Sequence, residues 1–168
     1  EHGRSAAVRS LIPAVLRPDL IPQANGIALT EWDSVPGGIG LNAQLESAYE
    51  LSKSPDMIEL FAKALTDAIQ DSEGRTANMV IAVSEEAETY LPEMEWICEQ
   101  LKRSGLSIEV CSPQDLQVSE DTVLFQDKKV DLIYRFWELF DYENVSIMPK
   151  LARVVEQKGV VVTPPMKH

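Results

Sequence analysis

Met79-Val80-Ile81-Ala82-Val83 is apolar at every position, the pattern of a strand covered on both faces rather than one that alternates between core and water. From this run the rest of the fold can be worked outward. A helix is predicted over residues 90–104, with Met94, Ile97, Cys98 and Leu101 at helical spacing on its inner side and Gly105 as its stop. Residues 106–111 read as a second strand. Ser112-Pro113-Gln114-Asp115 is a polar turn, residues 116–118 an extended segment and 123–126 a hairpin strand. A third core strand falls within residues 130–136, a helix over 146–158 ends at Gly159, and residues 160–162 form a fourth strand. Strand, helix, strand, excursion, strand, helix, strand predicts an α/β fold on a mostly parallel sheet with flanking helices.

Upstream the pattern differs. Residues 5–17 carry a loose helical stripe of Ala6, Ala7, Leu11, Ala14 and Val15, interrupted at Pro13. Segments 19–22 and 27–32 flank Gln23-Ala24-Asn25-Gly26, and Asn-Gly between two apolar runs signals a β-hairpin, expected at an edge of the main sheet or added to it. Leu41, Leu45, Ala48 and Tyr49 share one helical face. Ser54-Pro55 then reads as the cap and first turn of a second helix, with Met57, Ile58, Phe61, Ala64, Leu65, Ala68 and Ile69 directed to the core.

The 168 residues can bury one sizeable core, and 45% hydrophobic with 25% charged residues describes a folded globular chain. A net charge of −12 argues against nucleic acid or an anionic membrane as partner. The two histidines, His2 and His168, lie at the ends, so no internal imidazole is present to act as a general base or metal ligand. Cys98 and Cys111 have neither zinc-site spacing nor a CxxC pattern and read as reduced core residues. No apolar run reaches the roughly 18 residues of a membrane span, and a cytoplasmic location is the expectation. Thr163-Pro164-Pro165 after the last strand reads as an exit into a linker or another domain. The expected organisation is one α/β domain over residues 1–165, with 166–168 opening a linker or tail, within a longer polypeptide.

Candidate chemistry concentrates at strand ends. Thr30-Glu31-Trp32-Asp33-Ser34-Val35-Pro36-Gly37-Gly38-Ile39-Gly40 sets two carboxylates at the end of a strand and follows them with a glycine turn into a helix. Glu31 and Asp33 project to the same face, where they could take an amine or a metal. The glycines permit close backbone approach, and the helix amides favour an anion. In a parallel sheet ligands bind beyond the carboxyl ends of the strands, which adds Ser84-Glu85-Glu86, Ser112 to Asp115, Arg135 and Thr163. The planar fork of Arg135 suits a carboxylate or phosphate, or else an internal ion pair with Glu138 or Asp141. Glu85, Glu86 and Glu88 suit the positive end of a helix and oppose a phosphate loop, for which no glycine fingerprint exists.

Taken in order, Arg17-Pro18-Asp19-Leu20-Ile21, the Asn25-Gly26 turn, Glu31-x-Asp33-x-x-Pro36-Gly37-Gly38, Pro113-Gln114-Asp115-Leu116 and Val130-Asp131-Leu132-Ile133-Tyr134-Arg135 resemble the pre-ATP-grasp half of circularly permuted ATP-grasp proteins, nearest to the glutathionylspermidine-synthase-like group. The resemblance spans most of residues 17–165. It implies a Rossmann-like, pre-ATP-grasp domain on the substrate side of an ATP-dependent carboxylate-amine ligase, inactive alone. It also implies a small-molecule or peptide substrate, no cofactor in this chain, and ATP and magnesium held by the other half of the polypeptide. Glu31, Asp33, Ser34, Gly37, Gly38 and Arg135 are the substrate-binding residues it suggests. Phe136, where a second arginine is often found, and the bulky Trp32 depart from the pattern. The alternatives are a non-catalytic ligand-binding or scaffold module and a nucleotide-sugar or dinucleotide enzyme domain, the last opposed by the missing glycine fingerprint.

Overall fold

The structure, a computed structural model, describes residues 13–33, 35–51, 55–69, 76–141 and 143–166. Four strands form a parallel sheet in the order β4-β3-β8-β9: β3 (Asn78–Val83), β4 (Ser107–Cys111), β8 (Leu132–Phe136) and β9 (Val161–Thr163). All four predicted core strands are therefore present, each within two residues of its expected bounds. β3 and β8 lie in the middle, paired from Met79 opposite Leu132 to Val83 opposite Phe136. Because β3 is buried along its length from Met79 onward, its uniform apolarity follows from having helices over both faces.

Residue parity divides the core in two. Met79, Ile81, Val83, Ile108, Leu132, Tyr134 and Phe136 meet two helices, α2 (Met57–Ala68) and α3 (Leu91–Arg103), through Phe61, Leu65, Met94, Ile97 and Leu101. Val80, Ala82, Ile133 and Val162 meet α4 (Met148–Glu156) through Met148, Leu151 and Val154. An antiparallel meander, β5 (Gln117–Val118), β6 (Val123–Phe125) and β7 (Lys128–Lys129), fills the excursion between β4 and β8 and adds Val123 to this second layer. From β3 the chain crosses to β4 on one side, whereas from β8 it crosses to β9 on the other, so the connections diverge between the two central strands.

Three expectations are corrected. The hairpin of β1 (Arg17–Gln23) and β2 (Gly26–Asp33) is a separate two-stranded sheet and does not extend the main one. Helix α1 (Ile39–Ala48) forms where expected, but Leu41, Leu45 and Tyr49 are 57%, 42% and 70% exposed, and its buried residues are Ile39 and Gly40. Helical spacing shows that a stripe exists and does not say which stripe meets the core. Helix α2 is capped by Asp56 rather than at Ser54: the Asp56 side chain accepts the Glu59 amide at 2.8 Å while Glu59 accepts the Asp56 amide at 2.9 Å, a reciprocal capping box. Of the helix expected over 5–17, residues 5–12 lie outside the described residues, 13–16 are irregular, and Arg17 already begins β1.

Candidate functional site

The hairpin register sets Arg17 opposite Asp33 and Asp19 opposite Glu31, with Pro18 opposite Trp32 between them. Opposed residues share a face, as do residues two apart, so Arg17, Asp19, Glu31 and Asp33 stand together on one face at the open end of the ribbon. Arg17 organises the group. Its Nη2 lies 2.9 Å from Asp33 Oδ2, its Nε 3.3 Å from Asp19 Oδ1, and its Nη1 donates to the Gly37 carbonyl at 3.2 Å. The second Asp33 oxygen accepts the Val35 amide at 2.9 Å, so Asp33 is engaged on both sides. Glu31 is exposed and makes no ion pair among the described residues. Arg17 and Asp19 were not singled out as site residues from the sequence, because pairing the strands through the turn without the bulge at Thr30 would set Arg17 opposite Trp32 and Asp19 opposite Thr30.

The glycine turn serves the fold as well as the site. Gly38 has φ +87°, a left-handed conformation that favours glycine, and Gly37 lies so close to the Tyr90 ring that a Cβ there would run into it. The amides at the start of α1 are occupied: Gly38 donates to Glu93 Oε2 at 3.1 Å and Gly40 to Glu93 Oε1 at 2.8 Å. A carboxylate of this chain thus takes the anion position that the sequence reading offered to a ligand. Ser34 lies outside the described residues.

Arg135 does not line an open cleft with Glu31 and Asp33. Its side chain is fully buried, with Nε donating to the Pro164 carbonyl at 3.2 Å, Nη2 to the Pro165 carbonyl at 3.4 Å and Nη1 to the Trp137 carbonyl. Its guanidinium carbon sits 5.9 Å from the Trp137 ring centroid. No ion pair to Glu138 or Asp141 forms, though the Glu138 charge favours the cation at longer range. Burial dominates and pushes the Arg135 pKa down to about 10. By strand parity Arg135 faces the α4 layer, and its neighbour Tyr134 faces the α2–α3 layer. The Tyr134 hydroxyl is buried without a hydrogen-bond partner among the described residues. Burial, reinforced by the Asp33 charge, raises its pKa.

The other strand ends are largely self-satisfied. The Thr163 hydroxyl accepts the Ala14 amide at 2.8 Å. Ser112 and Asp115 form a reciprocal cap on a short 3-10 turn. Ser84 is buried beside Glu86 without a hydrogen bond of good geometry, while the Glu86 carboxyl is held below its usual range, first by its own backbone amide and then by Ser84. Two depressions lie elsewhere, an open cleft of about 420 Å³ lined by Val118, Ser119, Glu120, Lys150, Arg153 and Gln157, and an apolar one of about 270 Å³ between α1, α2 and residues 14–16. Among the described residues no three His, Cys, Asp or Glu side chains are placed to hold a metal, and no helix is long and apolar enough to cross a membrane. No protein-family model matches the chain, and a comparison with curated proteins gave no match.

Proposed function

We propose that this chain is the substrate-side module of an ATP-dependent carboxylate-amine ligase of the ATP-grasp class, inactive by itself. The observation that carries the reading is the charged face of the hairpin: the motif segments that resemble the family, Arg17-x-Asp19 and Glu31-x-Asp33, are brought together by strand register beside the Pro36-Gly37-Gly38 turn. The diverging connections between β3 and β8 agree with a Rossmann-like, pre-ATP-grasp domain. In this reading Glu31, opposite Asp19, accepts the incoming ammonium group, while Arg17 fixes Asp33 and the glycine turn in place.

In this reading ATP and magnesium are held by the other half of the polypeptide, while here Glu93 takes the Gly38 and Gly40 amides at the start of α1. The test is calorimetry: no micromolar binding of magnesium-ATP by the isolated chain, and in the full-length protein amine-dependent ADP formation that Glu31→Gln lowers by about tenfold or more. ATP turnover by the isolated chain would sink the proposal. The second reading, a non-catalytic binding or scaffold module, draws support from Arg135, Asp33 and Glu93 being spent on internal bonds. Unchanged amine dependence in Glu31→Gln would favour it.

A further inference from the structure

The hairpin carries a second face that the charged cluster does not use. Pro18, Leu20 and Pro22 alternate along β1 on the side away from Arg17 and Asp19, and they pair with Trp32, Leu29 and Ile27. Strict alternation along β2 would put Trp32 and Leu29 on opposite faces. The register shift between Asp19 and Leu20 inserts Thr30 as an extra residue and brings both to the same side. One face of the ribbon therefore carries all four charges, together with Ile21 and Ala28, and the other is formed by six apolar residues. None of the six is covered: Leu20, Ile27, Leu29 and Trp32 are 52%, 68%, 47% and 60% exposed, and both prolines are exposed. A two-stranded ribbon with a bare apolar face has little stability of its own in water.

We infer that this face is the docking surface for one amphipathic helix, flanked by lysine or arginine, from a different protein or domain. Three features point to that occupant. The ribbon is two strands wide, about 10 Å, which is the width of a single helix. The exposed part of its four large side chains is on the order of 450 Å², an area suited to one small, reversibly held element rather than to the roughly 800 Å² per partner of a stable protein pair. Each copy also carries −12, which repels a second copy and favours a basic partner. Docking would brace the ribbon from behind and hold the charged cluster on its other face. The inference does not rest on the ligase reading.

The probe is a synthetic amphipathic helix of leucine and lysine in heptads, titrated into the chain while exchange of the β1 and β2 amides and the emission of Trp32 are followed. A Trp96→Phe background leaves Trp32 and the buried Trp137, whose environment the peptide does not reach, so the shift reports Trp32. Saturable binding that slows exchange in both strands and shifts Trp32 emission to the blue is expected. Leu29→Lys should weaken it by about tenfold or more, since it removes a buried leucine and adds a like charge. Leu29 is at the surface, and unchanged thermal unfolding of Leu29→Lys will show that the fold is intact. Binding that Leu29→Lys leaves unaltered would place the peptide elsewhere and overturn the inference. So would equal affinity for a leucine-glutamate peptide, or a concentration-dependent homodimer that Leu29→Lys abolishes.

Discussion

A fully buried arginine with no carboxylate beside it must find other oxygens, and Arg135 finds them in the carbonyls of Trp137, Pro164 and Pro165. It thereby ties the exit of β8 to the exit of β9. Arg135→Leu keeps much of the apolar volume but leaves three carbonyls without their donor, and is expected to lower stability by about 2–4 kcal/mol in urea unfolding. Arg135→Lys should recover little of this, because a single ammonium cannot span the fork. The lowered pKa has a defined sign. A buried cation is a cost while charged, so this cost is full below about pH 10 and lifts as pH rises from there toward the ordinary arginine value. Cys111 acts in the opposite sense. Burial, with the Asp115 charge, pushes its thiol up to about 12, so its contribution is fully present below the ordinary thiol value near 9.0 and is lost as pH rises toward 12. Between pH 9 and 11 the wild-type chain should lose on the order of 2 kcal/mol more than Cys111→Ala, read from paired unfolding curves.

At the scale of elements, α1 is held at its start more than along its side. Ile39 and Gly40 are its buried residues, and the Glu93 carboxylate on the Gly38 and Gly40 amides is what fixes its first turn to α3. Glu93→Ala is therefore expected to cost about 1–3 kcal/mol and to speed amide exchange within residues 39–48, with β3 and β8 little changed. Even loss of protection across the whole chain would mean that Glu93 supports the fold generally rather than this helix. The same element shows where the sequence could be read and where it could not. The core strands were legible because complete burial leaves a continuous apolar run, as in Met79 to Val83. The exposure of Leu41, Leu45 and Tyr49 was not legible, since periodicity carries no information about what lies opposite. Glu31 and Asp33 were correctly given a common face, but Arg135 was placed with them on a strand-end rule and on the family resemblance. Its burial depends on Pro164 and Pro165, about thirty residues further along, and the filling of the glycine turn depends on Glu93, more than fifty residues from it. Such distant partners leave no local pattern. The bulge at Thr30 is likewise silent in an alternation count, yet it decides which face Trp32 joins.

The molecule as a whole pairs a well-covered sheet with a thinly supported ribbon, and the candidate chemistry rides on the ribbon. Ile81, Ala82, Leu132 and Ile133 are completely buried in the two central strands, whereas along β1 and β2 only Asp19, Ala28 and Asp33 are even partly shielded. Exchange through local opening should follow that contrast, because an element that buries little apolar surface can open without disturbing the core. In native-state hydrogen exchange, the paired amides of β3 and β8 are expected to exchange only through global unfolding, with a full dependence on denaturant. The β1 and β2 amides should exchange through a local opening that denaturant barely affects. Arg17→Ala removes the contacts to Asp33, Asp19 and Gly37 that fasten the ribbon to the glycine turn, so it should speed exchange in both hairpin strands. The cost in global stability should be no more than about 1 kcal/mol, since these ion pairs are partly exposed and screened by solvent. Protection of the ribbon equal to that of β3 in the isolated chain would contradict this division, and would mean that the hairpin folds as part of the core.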